Sequence, residues 1–423
     1  MDFIQIFSIV IFIAVMACIV SDKLHRTLAA LLGAIVVLVS GILPFEECLQ
    51  YIDFNTLGVL IGMMLFVSVI KHSGFFEYIS IKAARFAKGD PWKIMVALVV
   101  ITAVASAFLD NVTTVILICP MTLMICRELK LDPAPFFITQ IIASNIGGTA
   151  TLIGDPPNIM ISSPAGFSFL DFIIIDAPIA VIVLVATIVC FRFFFMKKLI
   201  VLPENVTDFS HLNANEAIKS KSLFIKSIVM FLLVTVAFML HSILHLETSL
   251  IALSAAGIMM LLGRQSVEKS IHDVEWTTIG FFIGLFIIVG AMAHTGVIDM
   301  FADFLVNATG GNLIVTMLAI LVASAILSAI IDNIPFVATM IPVLLTMQAS
   351  GIDVVPLWWA LSLGACFGGN GTLIGASANV ILSGICNREG YCLTFNQFLK
   401  YGLPIMLLSI VLSGVYLFLI FGI

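Results

Sequence analysis

Two short polar interruptions in otherwise apolar sequence carry residue types that could bind or move an ion: Asp110-Asn111 and Asp332-Asn333. Each joins a carboxylate, which can take up a proton or a cation, to an amide that both donates and accepts hydrogen bonds. A charged Asp deep in a bilayer costs about 2.5–3.5 kcal/mol on insertion scales. Asp can also cap a helix by accepting from its first backbone N–H groups, but Ser or Asn would cap without a charge. A role in cation or proton coupling is therefore expected for both aspartates.

A second pair of interruptions is rich in glycine. The first holds Asn145, Gly147, Gly148, Thr149, Thr151, Gly154, Asp155, Pro156, Pro157 and Asn158. The second holds Gly368, Gly369, Asn370, Gly371, Thr372, Gly375, Ser377 and Asn379. Clustered glycine disfavours helix, and consecutive prolines remove donors and clash with the preceding turn. Unwound backbone survives in a membrane only where protein or an aqueous cavity satisfies it. Its carbonyls can then coordinate a cation, and half-helix N-termini can hold an anionic or polar group. The candidate binding residues are thus Asp110, Asn111, Thr113, Thr114, Asn145, Gly148, Thr149, Thr151, Asp155 and Asn158, with Asp332, Asn333, Gly369, Asn370, Thr372 and Asn379. Asp110, Asp332 and Asp155 are the expected proton carriers. No metal-ligand cluster and no Ser/His or Cys/His arrangement stands out. A transporter, not an enzyme, is expected, with no cofactor beyond a coupling proton or sodium ion and no nucleic-acid partner.

These interruptions need membrane elements around them. The 423-residue chain is 61% hydrophobic and only 10% charged, against about 25% charged in soluble domains. Apolar runs recur from Phe3 to Ile423, many long enough to cross a hydrocarbon core of about 30 Å. The first, Phe3–Val20, has no basic residue before it and reads as a retained span rather than a signal peptide. Spans are expected over 3–20, 26–42, 55–72, 135–161 and 177–196, then 223–243, 248–262, 277–294, 354–385 and 403–422. Residues 93–126 and 312–348 have arms short for a crossing and read as re-entrant hairpins with polar tips. Cys18, Cys119, Cys190 and Cys366 lie in apolar runs and are expected to be buried small hydrophobes.

The chain is a duplication. SAFLDN at 106–111 returns as SAIIDN at 328–333, 222 residues later, and Pro120 returns as Pro342. His72 and Gly74 match His294 and Gly296, and GGTATLIGDPPN (147–158) matches GGNGTLIGASAN (368–379). With the N-terminus outside, all 19 Lys and Arg residues fall on the cytoplasmic side, while 43–54, 163–176, 244–247 and 295–311 have none. Five spans separate equivalent positions, so the repeats are inverted, as in many secondary transporters. The expected fold is an all-α polytopic membrane protein of two inverted repeats, each of five spans and one re-entrant hairpin. The boundaries are 1–196, a cytoplasmic linker at 197–222, and 223–423, with both termini outside the cell membrane.

DNVTT (110–114), SNIGGTATLIGDPPN (144–158), DNIPFVATMIPVL (332–344) and GGNGTLIGASAN (368–379) resemble the ion transporter superfamily. The resemblance is to its branch of ArsB arsenite permeases, NhaD sodium/proton antiporters and the melanosomal P protein, and most closely to the P protein type. It covers nearly the whole chain. It implies a transport domain of about 93–176 and 312–401 moving elevator-fashion against a scaffold made of the remainder. It also implies a small inorganic or organic ion as substrate, contact with membrane lipid, a homodimer and, on the ArsB pattern, a soluble ATPase partner. The related sodium-dicarboxylate cotransporters carry Ser-Asn-Thr at their hairpin tips, where this chain has Asp110-Asn111 and Asp332-Asn333. Two added negative charges disfavour a dianionic cargo and suit a neutral polyhydroxyl or an exchanged cation. The leading expectation is proton-coupled efflux of arsenite or antimonite by alternating access. The alternatives are a sodium/proton antiporter, a sodium- or proton-coupled organic anion transporter, and a passive channel. Asp155-Pro156-Pro157 stands opposite Ala376-Ser377-Ala378, so any cation-coupling bias is expected to favour the first half.

Overall fold

A computed structural model describes residues 1–21, 23–196, 199 and 213–422. Twenty α-helices run through the described residues, ten in each half. The first ten are α1 (Phe3–Val20), α2 (Arg26–Val39), α3 (Phe45–Cys48), α4 (Phe54–Lys71), α5 (Phe75–Phe86), α6 (Pro91–Ser106), α7 (Asn111–Glu128), α8 (Ala134–Thr149), α9 (Pro156–Ala165) and α10 (Phe169–Phe195). The second ten are α11 (Lys221–Leu244), α12 (Thr248–Gly263), α13 (Val267–His272), α14 (Trp276–His294), α15 (Val297–Ala308), α16 (Leu313–Ile331), α17 (Asn333–Ala349), α18 (Val355–Gly368), α19 (Ser377–Arg388) and α20 (Phe395–Phe421). Eight of the twenty are long and apolar enough to cross a membrane. The linker expected at 197–222 lies mostly outside the described residues; its Ala214–Ala217 turn sits against α5.

Each helix of the first half has its counterpart ten places on, and the local chemistry repeats with it. Asp110 and Asp332 both accept from the first turn of the helix they precede, α7 and α17. Ser168 and Thr394 close matching capping boxes at the starts of α10 and α20. The packing is reciprocal as well. The α2 helix lies against α14 as α12 lies against α4, α6 against α8 as α16 against α18, and α7 against α19 as α17 against α9. The halves therefore interlock instead of standing side by side.

Two glycines make this interlocking possible. A Cβ on Gly62 in α4 would stand 2.5 Å from the Ala252 carbonyl carbon in α12. A Cβ on Gly284 in α14 would stand 2.7 Å from that of Ala30 in α2. Such backbone-to-backbone contact is how membrane helices associate when burying apolar surface gains nothing against lipid. Gly284→Val should cost about 1–3 kcal/mol through overpacking. Thermal unfolding in detergent should read this as a lowered midpoint, and an unchanged midpoint would show that the contact is slack.

Several expectations need correction. Two of the hairpin arms are not short for a crossing: α7 has 18 residues and α16 has 19, each able by length and composition to cross. Asp110 and Asp332 cap the starts of α7 and α17 at the tips, whereas α6 ends at Ser106, short of its tip. The expected spans 135–161 and 354–385 are each two helices, with the chain unwound over 150–155 and 369–376. The segment 295–311 contains α15, not just a loop. Both α5 and α15 begin at glycines with positive φ, Gly74 at 82° and Gly296 at 74°, which accounts for the matched His-x-Gly pairs. Cys18 is exposed and Cys190 only half-buried, while Cys119 and Cys366 are buried. Asp176, placed just outside a span by the sequence reading, lies inside α10 and is fully buried.

Candidate functional site

The two tips meet at one carboxylate. Asp155 ends the unwound stretch between α8 and α9 and is 1% exposed. Its Oδ1 accepts from Asn111 Nδ2 at the first tip (3.4 Å), and both its oxygens accept from Asn333 Nδ2 at the second (3.3 Å each). Residues from three separate breaks, two in one half and one in the other, thus converge on it.

Around that point runs an amide network. Asn145 Oδ1 accepts from Asn111 Nδ2 at 3.3 Å, and Asn145 Nδ2 lies within hydrogen-bond distance of Asn370 Oδ1 (3.0 Å) and Asn379 Oδ1 (3.1 Å). The Asn370 Nδ2 donor is buried without a protein partner. Asn158 and Asn379 do something else. Asn158 Nδ2 donates to the carbonyls of Thr149 (3.1 Å) and Thr151 (3.0 Å), and Asn379 Nδ2 donates to those of Gly369 (2.7 Å) and Thr372 (2.9 Å). Each amide ties the two ends of its own unwound loop. The Thr151 and Thr372 hydroxyls donate to Ala107 O and Ala329 O, locking each loop to the neighbouring hairpin arm. A Cβ on Gly148 would stand 2.8 Å from Gly154 O, so the chain closes tightly on itself there. At the counterpart, Gly369 has 3.2 Å to Ala376 Cβ.

The expected binding residues therefore divide. Asp110, Asn111, Asp155 and Asn333 line a common cavity, and Asn145, Asn370 and Asn379 support it. Asn158, Thr149, Thr151, Thr372, Gly148 and Gly369 hold the breaks in shape. Thr113 serves Asp110, giving its backbone N–H to Oδ1 at 2.8 Å and its hydroxyl to Oδ2 at 2.5 Å. Thr114 is buried with its hydroxyl unpartnered.

Two lining residues were missed by sequence reasoning. Arg26 Nη1, at the start of α2, donates to Asp332 Oδ2 at 2.9 Å and also reaches the Ser377 hydroxyl. Its guanidinium stands 5.3 Å from the centre of the Phe281 ring. Glu275, which precedes α14, accepts from the Thr278 hydroxyl and lines the same cavity. A signal existed. Arg26 falls where the second half has Thr248, and so breaks the repeat. Asp332 is bent as well as paired, with φ at +98°, where Asp110 has a relaxed −60°. Such backbone costs about 1–3 kcal/mol and persists only when its surroundings enforce it.

The cavity thus gathers Asp110, Asp155 and Glu275 beside Arg26, with Asp332 bound to that arginine. Its free volume is about 20 Å³, enough for a water-sized particle on the scale where one water needs roughly 10–15 Å³. A larger void of about 360 Å³ adjoins it, between α1, α2, α14, α19 and the second tip.

The citrate transporter family, CitMHS, matches residues 16–364. The chain belongs to this family. A 46 kDa membrane protein of Mycobacterium leprae is 43% identical over 98% of both chains. The human P protein is 34% identical over 95% of this chain and 58% of its own length, which bears out the resemblance read from the tip and loop motifs. The YdaH transporter of Alcanivorax borkumensis has the same fold, with a TM-score of 0.62 over 89% of this chain and 88% of its own at 15% identity. The protein is a multi-span membrane transporter of the CitMHS and P protein type.

Proposed function

We propose that this CitMHS protein is a proton-coupled secondary transporter whose coupling site is Asp155, and that the cargo its cavity fits best is a monovalent cation exchanged for protons. The observation that carries this reading is the convergence of both tip amides on one buried carboxylate. A proton or a sodium ion on Asp155 neutralises a charge that protein alone leaves unpaired, since no ion pair to Asp155 or Asp110 is found among the described residues. The cavity is acidic, with one guanidinium already engaged, and small, which suits a cation better than a free tricarboxylate.

In this reading the transport domain, about 93–176 and 312–401, carries Asp110, Asp155 and Asp332, while the scaffold contributes Arg26 and Glu275. The cavity then lies at the sliding surface between them, as alternating access requires. With the basic residues inside, the larger void beside Arg26 opens toward the cytoplasm. Arsenite or antimonite efflux is the second cargo to test, as a small neutral hydroxylated solute. Citrate, which the family description names, would need the carboxylates neutralised first.

The test uses the purified protein in vesicles with an imposed proton gradient, offered sodium, arsenite and citrate in turn. Sodium-dependent proton flux supports the proposal. Proton-driven arsenite movement would replace the cargo but keep the coupling site. Solute movement that ignores the gradient would overturn both and favour a channel.

A further inference from the structure

Asp176 is a second buried carboxylate that the tips and loops do not use. It lies inside α10 with no exposed surface, facing Ser362 of α18. Ser362 Oγ stands 2.7 Å from Asp176 Oδ2 and 2.7 Å from Asn158 Oδ1. At that separation an O···O contact has a hydrogen between its atoms. Two such contacts need two hydrogens, and a serine hydroxyl has one. Asn158 cannot supply the other, because both its amide hydrogens are committed to the Thr149 and Thr151 carbonyls, which also fixes Oδ1 as the atom facing Ser362. The remaining source is Asp176 itself. Cys366 Sγ, 3.4 Å from Asn158 Oδ1, adds a weak donor to the amide and leaves this count unchanged.

From this count we infer that Asp176 is a proton-binding site, occupied in this conformation, and that its proton is bonded through Ser362 and Asn158 to the unwound loop that leads into Asp155. Its other oxygen, Oδ1, has no partner, which a neutral carbonyl tolerates far better than an anionic oxygen. No cation faces it. Of the ionisable groups on the helices packed on α10, those near Asp176 are Cys366 of α18 and Tyr416 of α20, whose hydroxyl is taken up by Ile175 O. Lys400 and Tyr401 of α20 lie at the far end of α10, where the Tyr401 ring meets Phe194 and Phe195, and Lys221 and Lys226 belong to the first turns of α11, with Lys226 bonded to Leu262 O. The α8 helix has no ionisable side chain, and from α11 His241 meets the chain at Phe169, two turns away. The counterpart of Asp176 in α20, reckoned from the paired prolines Pro178 and Pro404, is Gly402, so the site exists in one half only. A hinge of the loop that pulled Asn158 from Ser362 would free the serine hydrogen to turn to Asp176 Oδ2, so that the carboxyl could release its own proton. Only that role in coupling rests on the transporter reading; the protonation does not.

Infrared spectroscopy of the purified full chain at neutral pH tests it. The wild type should show a protonated-carboxyl stretching band that Asp176→Asn removes, with the intensity of one carboxyl per chain. Ser362→Ala should keep the band and shift it toward that of a free acid. An Asp176→Asn spectrum unchanged in this region overturns the proposal. If that variant fails to fold, the serine variant decides: a shifted band upholds the inference, and an unshifted one overturns it. Proton flux plays no part in these readings, so they stand or fall separately from Asp155.

Discussion

Replacing Asp155 by asparagine is expected to abolish proton-coupled transport in reconstituted vesicles while leaving a folded protein. An amide takes up no proton and carries no charge, so nothing remains to exchange at the meeting point of the tips. The size of the side chain hardly changes. Its bonding does. Asp155 accepts from Asn111 at one tip and Asn333 at the other. Asparagine has one acceptor oxygen, so its own amide must face one of those donors. A buried donor left without a partner costs about 1–3 kcal/mol. One tip should therefore dock more loosely, and thermal unfolding should fall modestly without collapse. Wild-type proton flux per solute in the folded variant would remove Asp155 from the coupling site.

Arg26→Gln should lower coupled transport at least tenfold, equivalent to about 1.4 kcal/mol or more. Arg26 is the single basic side chain that lines the cavity, and it binds Asp332 from 306 residues away. Removing it leaves a nearly buried carboxylate uncompensated on a backbone already held at φ +98°. The second tip then loses what holds its bend. The double variant Arg26→Gln/Asp332→Asn should recover thermal stability relative to Arg26→Gln, because it deletes both charges. A coupling energy of about 0.5–3 kcal/mol is expected from the cycle, as for residues in direct contact. Additive effects would mean that the pair is incidental.

These two residues differ in how visible they are in sequence. Asp155 stands out because Asp-Pro-Pro after glycine inside an apolar run admits no continuous helix, and its neighbours repeat 221 residues on. Arg26 reads as one more cytoplasmic charge, since nothing near it signals a partner in the other half. Asp176 reads as the last residue of a loop, yet the Ser168 capping box starts α10 eight residues earlier and carries it into the core.

The membrane class, the duplication, the family and the positions of all four breaks are legible along the chain. Each is a local matter: apolar runs long enough to span, and Gly, Pro and Asp where a helix cannot continue. Tertiary structure alone decided which break faces which. Two amides from opposite halves close on Asp155, an arginine at the start of one helix neutralises a tip across the molecule, and a serine joins the buried carboxyl of Asp176 to the amide of Asn158. Those pairings depend on interlocking helices, which approach backbone to backbone at Gly62 and Gly284. No spacing along the chain records them.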